Sequence, residues 1–132
     1  MTASHQGRLC LIVDDSRTVR RIARRILEDA GMQVEEAADG VEGLNACRTR
    51  RPDFVLLDWN MPRMNGIDCL KAIRAEFGAE LPRVILCTTE NDPDHIITAI
   101  EAGAQEFIMK PFDAGILLGK IDDIALPAGV RA

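Results

Sequence analysis

No apolar run in the 132 residues approaches the roughly 18–20 needed to cross a bilayer. The N-terminal stretch Met1-Thr2-Ala3-Ser4-His5-Gln6-Gly7 is not hydrophobic, and the first apolar run, Leu9 to Val13, leads straight into two aspartates. That pattern is no secretory signal peptide, and the expected location is cytoplasmic. The four cysteines (Cys10, Cys47, Cys69, Cys87) form no Cys-x-x-Cys pair, which excludes a zinc ribbon and a thioredoxin-type redox centre. Cys10 and Cys87 sit inside apolar runs, where a free thiol acts as a small hydrophobe. The two histidines, His5 and His95, are too few and too far apart to suggest a metal site. Positive charge is in the minority, 16 basic against 21 acidic side chains for a net charge of −5. A general nucleic-acid binder would need a basic surface, so that class is set aside. Linkers, low-complexity tracts and a second domain are missing too. The length suits one domain with a real core.

What is present is alternation. Short apolar runs recur at Leu9–Val13, Met32–Ala37, Phe54–Leu57, Arg83–Cys87 and Glu106–Met109, each followed by Gly, Pro or Asp. They read as strands. Helical periodicity fills the gaps. The first helix turns Val19, Ile22, Ala23, Ile26 and Leu27 inward and five arginines (Arg17, Arg20, Arg21, Arg24, Arg25) outward, with Gly31 as its stop. The second spans Val41–Arg50, and the third Ile67–Phe77 with Leu70, Ile73 and Phe77 on one face. The fourth starts at Asn91-Asp92-Pro93 and ends at Gly103; the fifth runs from near Asp113 to about Ala125. Five strands alternating with five helices predict an α/β fold with a parallel sheet covered on both faces. Strands 1, 3 and 4 are the most apolar and belong at its centre. The domain is expected over residues 8–126, between short tails.

Ligands of open parallel sheets bind beyond the carboxyl ends of the strands, where strand order reverses. Strand 1 is followed by Asp14-Asp15, strand 3 by Asp58, strand 4 by Thr88-Thr89, and strand 5 by Lys110-Pro111. With the order 2-1-3-4-5 these groups meet at one edge. Each alone is ordinary, since Asp-Asp is usually a turn or a cap and Lys-Pro a surface turn. Together they are chemically coherent. Three converging carboxylates repel by roughly 3 kcal/mol per pair at ~5 Å and an effective dielectric near 20. A hard cation such as Mg²⁺ relieves that repulsion. A cation beside a lysine and a hydroxyl suits a phosphoryl group, and a carboxylate can itself be the nucleophile that forms an acyl phosphate.

The stretches Val13-Asp14-Asp15-Ser16, Asp58-Trp59-Asn60-Met61-Pro62, Thr88-Thr89-Glu90 and Lys110-Pro111-Phe112 resemble those of response-regulator receiver domains of two-component systems, the CheY-like single-domain type above all. The likeness covers about residues 8 to 125. It implies a flavodoxin-like sheet and Asp58 as the residue phosphorylated from a sensor histidine kinase or histidine phosphotransfer protein. It implies Mg²⁺ (or Mn²⁺) held by Asp14, Asp15, Asp58 and the Asn60 carbonyl. It makes Lys110 the ion-pair partner of the phosphate, Thr88 and Phe107 the switch residues, and Lys110–Pro111 a cis peptide. Trp59 and Thr89 would lend backbone N–H groups to the phosphoryl oxygens, while Asn60 and Glu90 modulate hydrolysis. A switch of this kind is no enzyme in the ordinary sense. It changes the face made by helix 4, strand 5 and helix 5, is expected to be a monomer when unphosphorylated, and carries no DNA-binding module. Its output is contact with a downstream protein, or phosphate passed onward as a shuttle or sink.

Two departures bear on the partner. Chemotaxis regulators that bind the flagellar switch carry lysines where this chain has Asn91-Asp92-Pro93, and Phe107 lacks the tyrosine hydroxyl common there. The arginines of helix 1 are either a solvated face or a docking surface for the phosphodonor. Two other classes fit less well. A haloacid-dehalogenase-like phosphatase would place its nucleophile in Asp-x-Asp after strand 1, and a flavodoxin-like cofactor binder would need a glycine- and hydroxyl-rich loop there instead of two acids.

Overall fold

A computed structural model describes residues 5–90 and 92–127. Five strands, β1 (Leu9–Val13), β2 (Gln33–Ala37), β3 (Phe54–Asp58), β4 (Arg83–Thr88) and β5 (Glu106–Met109), alternate with α1 (Arg17–Asp29), α2 (Gly40–Arg50), α3 (Gly66–Phe77), α4 (Pro93–Ala102) and α5 (Ala114–Ile124). The sheet is parallel throughout, in the order β2-β1-β3-β4-β5. The expected elements and strand order are thus present, and β1 and β3 are buried along their whole length.

Strand periodicity divides the core in two. Leu11, Val13, Val55, Leu57, Val84 and Leu86 face Leu44, Leu70, Ile73 and Ala99 of α2, α3 and α4. Cys10, Ile12, Phe54, Leu56, Ile85 and Cys87 alternate with them and face Ala23, Leu27, Leu117 and Ile121 of α1 and α5. All four cysteines are free and buried, and burial pushes each thiol up to about 12, so they are inert packing.

Every helix begins on a side chain that accepts a backbone N–H: Ser16 from Val19, Asp39 from Glu42, Asn65 from Asp68, Asp92 from His95 and Asp113 from Ile116. The cap of α4 is Asp92 with Pro93 next, in keeping with a start at Asn91-Asp92-Pro93; Asn91 itself lies outside the described residues.

The expectation for α1 needs two corrections. Ile22 is 49% exposed rather than inward. It stands about 100° round the helix from buried Ala23, at the margin of the apolar stripe. The five arginines do not share one solvated face either. Arg17, Arg21 and Arg25 are exposed, whereas Arg20 and Arg24 are half-buried and both bind Glu36 of β2, at 2.9 and 2.6 Å.

Candidate functional site

The carboxyl ends of β1, β3, β4 and β5 deliver the site. Asp58 is the last residue of β3 and Asp14 and Asp15 follow β1; oxygens of all three lie within 4.8 Å of one another. Asp14 and Asp58 are buried, Asp15 is exposed. Lys110 follows β5, its backbone N–H bonded to the Thr88 carbonyl at 2.9 Å. That anchor brings its ammonium between two carboxylates, 2.9 Å from Asp14 Oδ2 and 3.0 Å from Asp58 Oδ1. The Lys110–Pro111 bond is cis, as is Leu81–Pro82.

These charges set each other's ionisation. Burial raises Asp58 above the ordinary carboxylate range; the hydrogen bond from Lys110 opposes this, and the negative Asp14 and Asp15 add to it. For Lys110, burial favours the neutral amine, but bonds to Asp14 and Asp58 outweigh it and hold the ammonium above its usual range. Lys110 is a permanent cation. The cluster keeps two carboxylates in excess of its single positive charge, and its donors are hard oxygens. Asp14, Asp15 and Asp58 therefore fit a Mg²⁺-type ion.

The surroundings fix the position of Asp58. Asp14 Oδ1 accepts the Ser16 N–H at 2.8 Å, and its backbone carbonyl accepts from Arg20 Nη1 at 2.6 Å. The Gly66 N–H donates to the Trp59 carbonyl at 2.8 Å. A β-carbon on Gly66 would lie 2.2 Å from the Asp58 carbonyl oxygen, so α3 can start against β3 only with glycine there. Neither Gly66 nor Arg20 was singled out for this edge by sequence reasoning. Asn65-Gly66 opening an amphipathic helix was the available signal for the first.

Three expected participants are arranged differently. The Thr88 hydroxyl, 3% exposed, accepts from Glu90 N–H at 2.9 Å and donates to Glu90 O at 3.3 Å, so it is engaged with its own loop. The Trp59 N–H is not a free donor. It continues the β3–β4 ladder by bonding the Cys87 carbonyl at 3.0 Å, because it directly follows Asp58, the residue paired with Cys87. Phe107 belongs to neither core cluster; it is half-buried, with Lys120 Nζ 5.2 Å from its ring centroid. Asn60, Thr89 and Glu90 are exposed at the rim.

Residues 10–122 match the response regulator receiver domain family. The chain is a receiver domain. As a receiver it is 44% identical over 115 residues to chemotaxis protein CheY-3 of Vibrio cholerae, covering 86% of this chain and 88% of the relative. Chemotaxis protein CheY of Pseudomonas aeruginosa is 43% identical over 115 residues, with 86% and 93% covered. Among solved structures, CheY4 of Vibrio cholerae superposes with a TM-score of 0.85 at 34% identity, covering 90% of this chain and 99% of that one. The response regulator domain of Thermotoga maritima CheB gives 0.81 at 31% identity, covering 90% and 96%. The receiver is thus of the CheY type, a signalling domain rather than an ordinary enzyme. Among the described residues, no helix is long and apolar enough to cross a membrane.

Proposed function

We propose that this receiver accepts a phosphoryl group on Asp58 from the phosphohistidine of a sensor kinase or phosphotransfer protein. In the step, an Asp58 carboxylate oxygen attacks phosphorus, the P–N bond breaks, and the freed imidazole nitrogen takes a proton. Lys110 balances negative charge at the acceptor, and Thr88 and rim N–H groups become hydrogen-bond donors to the new oxygens. A bound Mg²⁺ would be held by Asp14, Asp15, Asp58 and the Asn60 carbonyl, and would neutralise charge on the phosphoryl oxygens. The observation that carries this reading is the single Lys110 ammonium shared by two buried carboxylates at the sheet edge.

Output is read as a change of the α4–β5–α5 face, drawn by Thr88 as it turns from Glu90 to the phosphoryl group. The likeness to chemotaxis proteins supports a role in chemotaxis or a related phosphorelay, exercised in the cytoplasm. Docking of the phosphodonor is assigned to α1: Arg17, Arg21 and Arg25 are exposed and make no ion pair among the described residues, and Val19, Ile22, Pro111 and Phe112 form an apolar shelf beside Lys110.

Intact-mass and peptide mass spectrometry after treatment with acetyl phosphate and Mg²⁺ tests the acceptor. We expect one labile phosphoryl group on Asp58, none in Asp58→Asn, and labelling slowed about 10- to 100-fold in Lys110→Ala, the loss of a charge-assisted hydrogen bond. Label at another residue, or undiminished label in Asp58→Asn, would sink the reading.

A further inference from the structure

The first turn of α4 brings a side chain against the residue that follows Asp58. The imidazole of His95 lies against the indole of Trp59, ring centroids 4.7 Å apart and planes at 43°. Asp92 aims that ring: its Oδ1 accepts the His95 N–H at 2.9 Å, and its Oδ2 lies 3.1 Å from His95 Nδ1. One aspartate therefore caps the helix and orients the imidazole.

The two partners differ in how they are held. Trp59 follows Asp58 directly, and its backbone is fixed on both sides, the N–H by Cys87 and the carbonyl by Gly66. His95 instead stands in the first turn of α4, just after the connection from β4. Within that connection the Thr88 hydroxyl is closed onto Glu90. A turn of the Thr88 hydroxyl toward Asp58 gives up both bonds to Glu90, at the start of the segment that leads to His95, whereas the Trp59 backbone is held by Cys87 and Gly66.

We propose that the His95–Trp59 stack is a latch on this receiver: it holds the β4–α4 connection in the arrangement where Thr88 faces Glu90, and it must release before Thr88 can bond a group on Asp58. The proposal rests on the receiver reading of Asp58 and deepens it. A ligand that binds only the released arrangement binds more weakly by the factor through which the latch favours the closed one. A tilted aromatic pair supplies a factor of about two to ten.

The test is a titration of beryllofluoride, a phosphoryl mimic, in excess Mg²⁺, followed by Trp59 fluorescence and compared by midpoint rather than amplitude. His95→Ala should lower the midpoint about two- to tenfold. Asp92→Ser, which keeps a capping oxygen but not the one holding the imidazole, should move it the same way. His95→Phe, which restores a ring, should stay within about twofold of the wild type. A side chain that only stabilised α4 would raise the midpoint on removal, or leave it unchanged, and His95→Phe would not rescue it. An unchanged or raised midpoint in His95→Ala overturns the latch. A wild type with no response, or an Asp58→Asn variant that responds equally, overturns the receiver reading and the latch with it.

Discussion

Asp58 must be a competent anion in a place that disfavours anions. Burial and the charges of Asp14 and Asp15 raise its ionisation range, and Lys110 only partly restores it. A carboxyl whose folded-state value lies above its unfolded one binds protons more tightly when folded. Stability then falls as pH rises from the ordinary carboxylate range through that raised value. Without metal, Asp58→Asn should therefore be more stable than the wild type at pH 7, by on the order of 1 kcal/mol or a few degrees in Tm. The advantage should shrink as pH falls through that raised range, where the wild-type carboxyl takes up its proton. Thermal unfolding in EDTA at several pH values checks this, and an advantage that grows on acidification refutes it. Gly66 is constrained by space instead of charge. Gly66→Ala puts a methyl group 2.2 Å from the Asp58 carbonyl oxygen and 2.9 Å from Trp59 Cα, both backbone atoms that cannot swing aside. We expect a loss of about 2–4 kcal/mol in chemical denaturation, together with slower labelling of Asp58 because its strand end is displaced.

Helix α1 separates two tasks along one sequence of arginines. Arg20 and Arg24 clasp Glu36, and Arg20 also holds the Asp14 carbonyl, whereas Arg17, Arg21 and Arg25 stand clear. Reversing the outer three to glutamate should leave Tm within a few degrees and acetyl phosphate labelling unchanged, yet slow transfer from the phosphohistidine donor at least tenfold. Reversing Arg20 and Arg24 should instead cost stability, about 0.5–1 kcal/mol for each pair lost and more for like charges left facing Glu36. Equal transfer rates in the outer-three variant would assign that surface to solvation alone. This division was not legible beforehand, since Glu36 is distant in sequence and only strand pairing brings β2 beside α1. Ile22 escaped for a related reason: a residue at the edge of a helical stripe is buried or bare according to its neighbours. The strands and the helix starts were legible because apolar runs and capping residues act locally. So were Asp14, Asp15, Asp58, Thr88 and Lys110, because parallel topology sends every strand end to one edge. Hydrogen-bond direction was not. Nothing in Thr88-Thr89-Glu90 says that the hydroxyl closes on Glu90, and nothing in Asp58-Trp59 says that the Trp59 N–H pairs with Cys87.

Taken as a whole, the molecule spends stability at one end of its sheet to hold that edge ready. Two cores of close-packed aliphatic residues press on β1, β3 and β4, and those strands bring three carboxylates within 4.8 Å against one lysine. The native state therefore carries repulsion that the unfolded chain escapes, and an ion that relieves it must stabilise folding by mass action. Mg²⁺ should raise Tm with a logarithmic dependence on concentration, reaching about 2.7 kcal/mol, or roughly 10 °C for a domain of this size, at a hundredfold excess over Kd. Sodium chloride at matched ionic strength should do much less, since it only screens. Asp15→Asn removes a ligand oxygen's charge without disturbing buried packing, because Asp15 is exposed, and it should abolish most of the Mg²⁺ increment. The increment should also shrink as pH falls through the raised range of Asp58, where protons compete for the same oxygens. Calorimetric scans across Mg²⁺ concentration and pH read both effects. A shift matched by sodium chloride, or one that survives Asp15→Asn and acid alike, would mean that the three carboxylates do not act together on one ion.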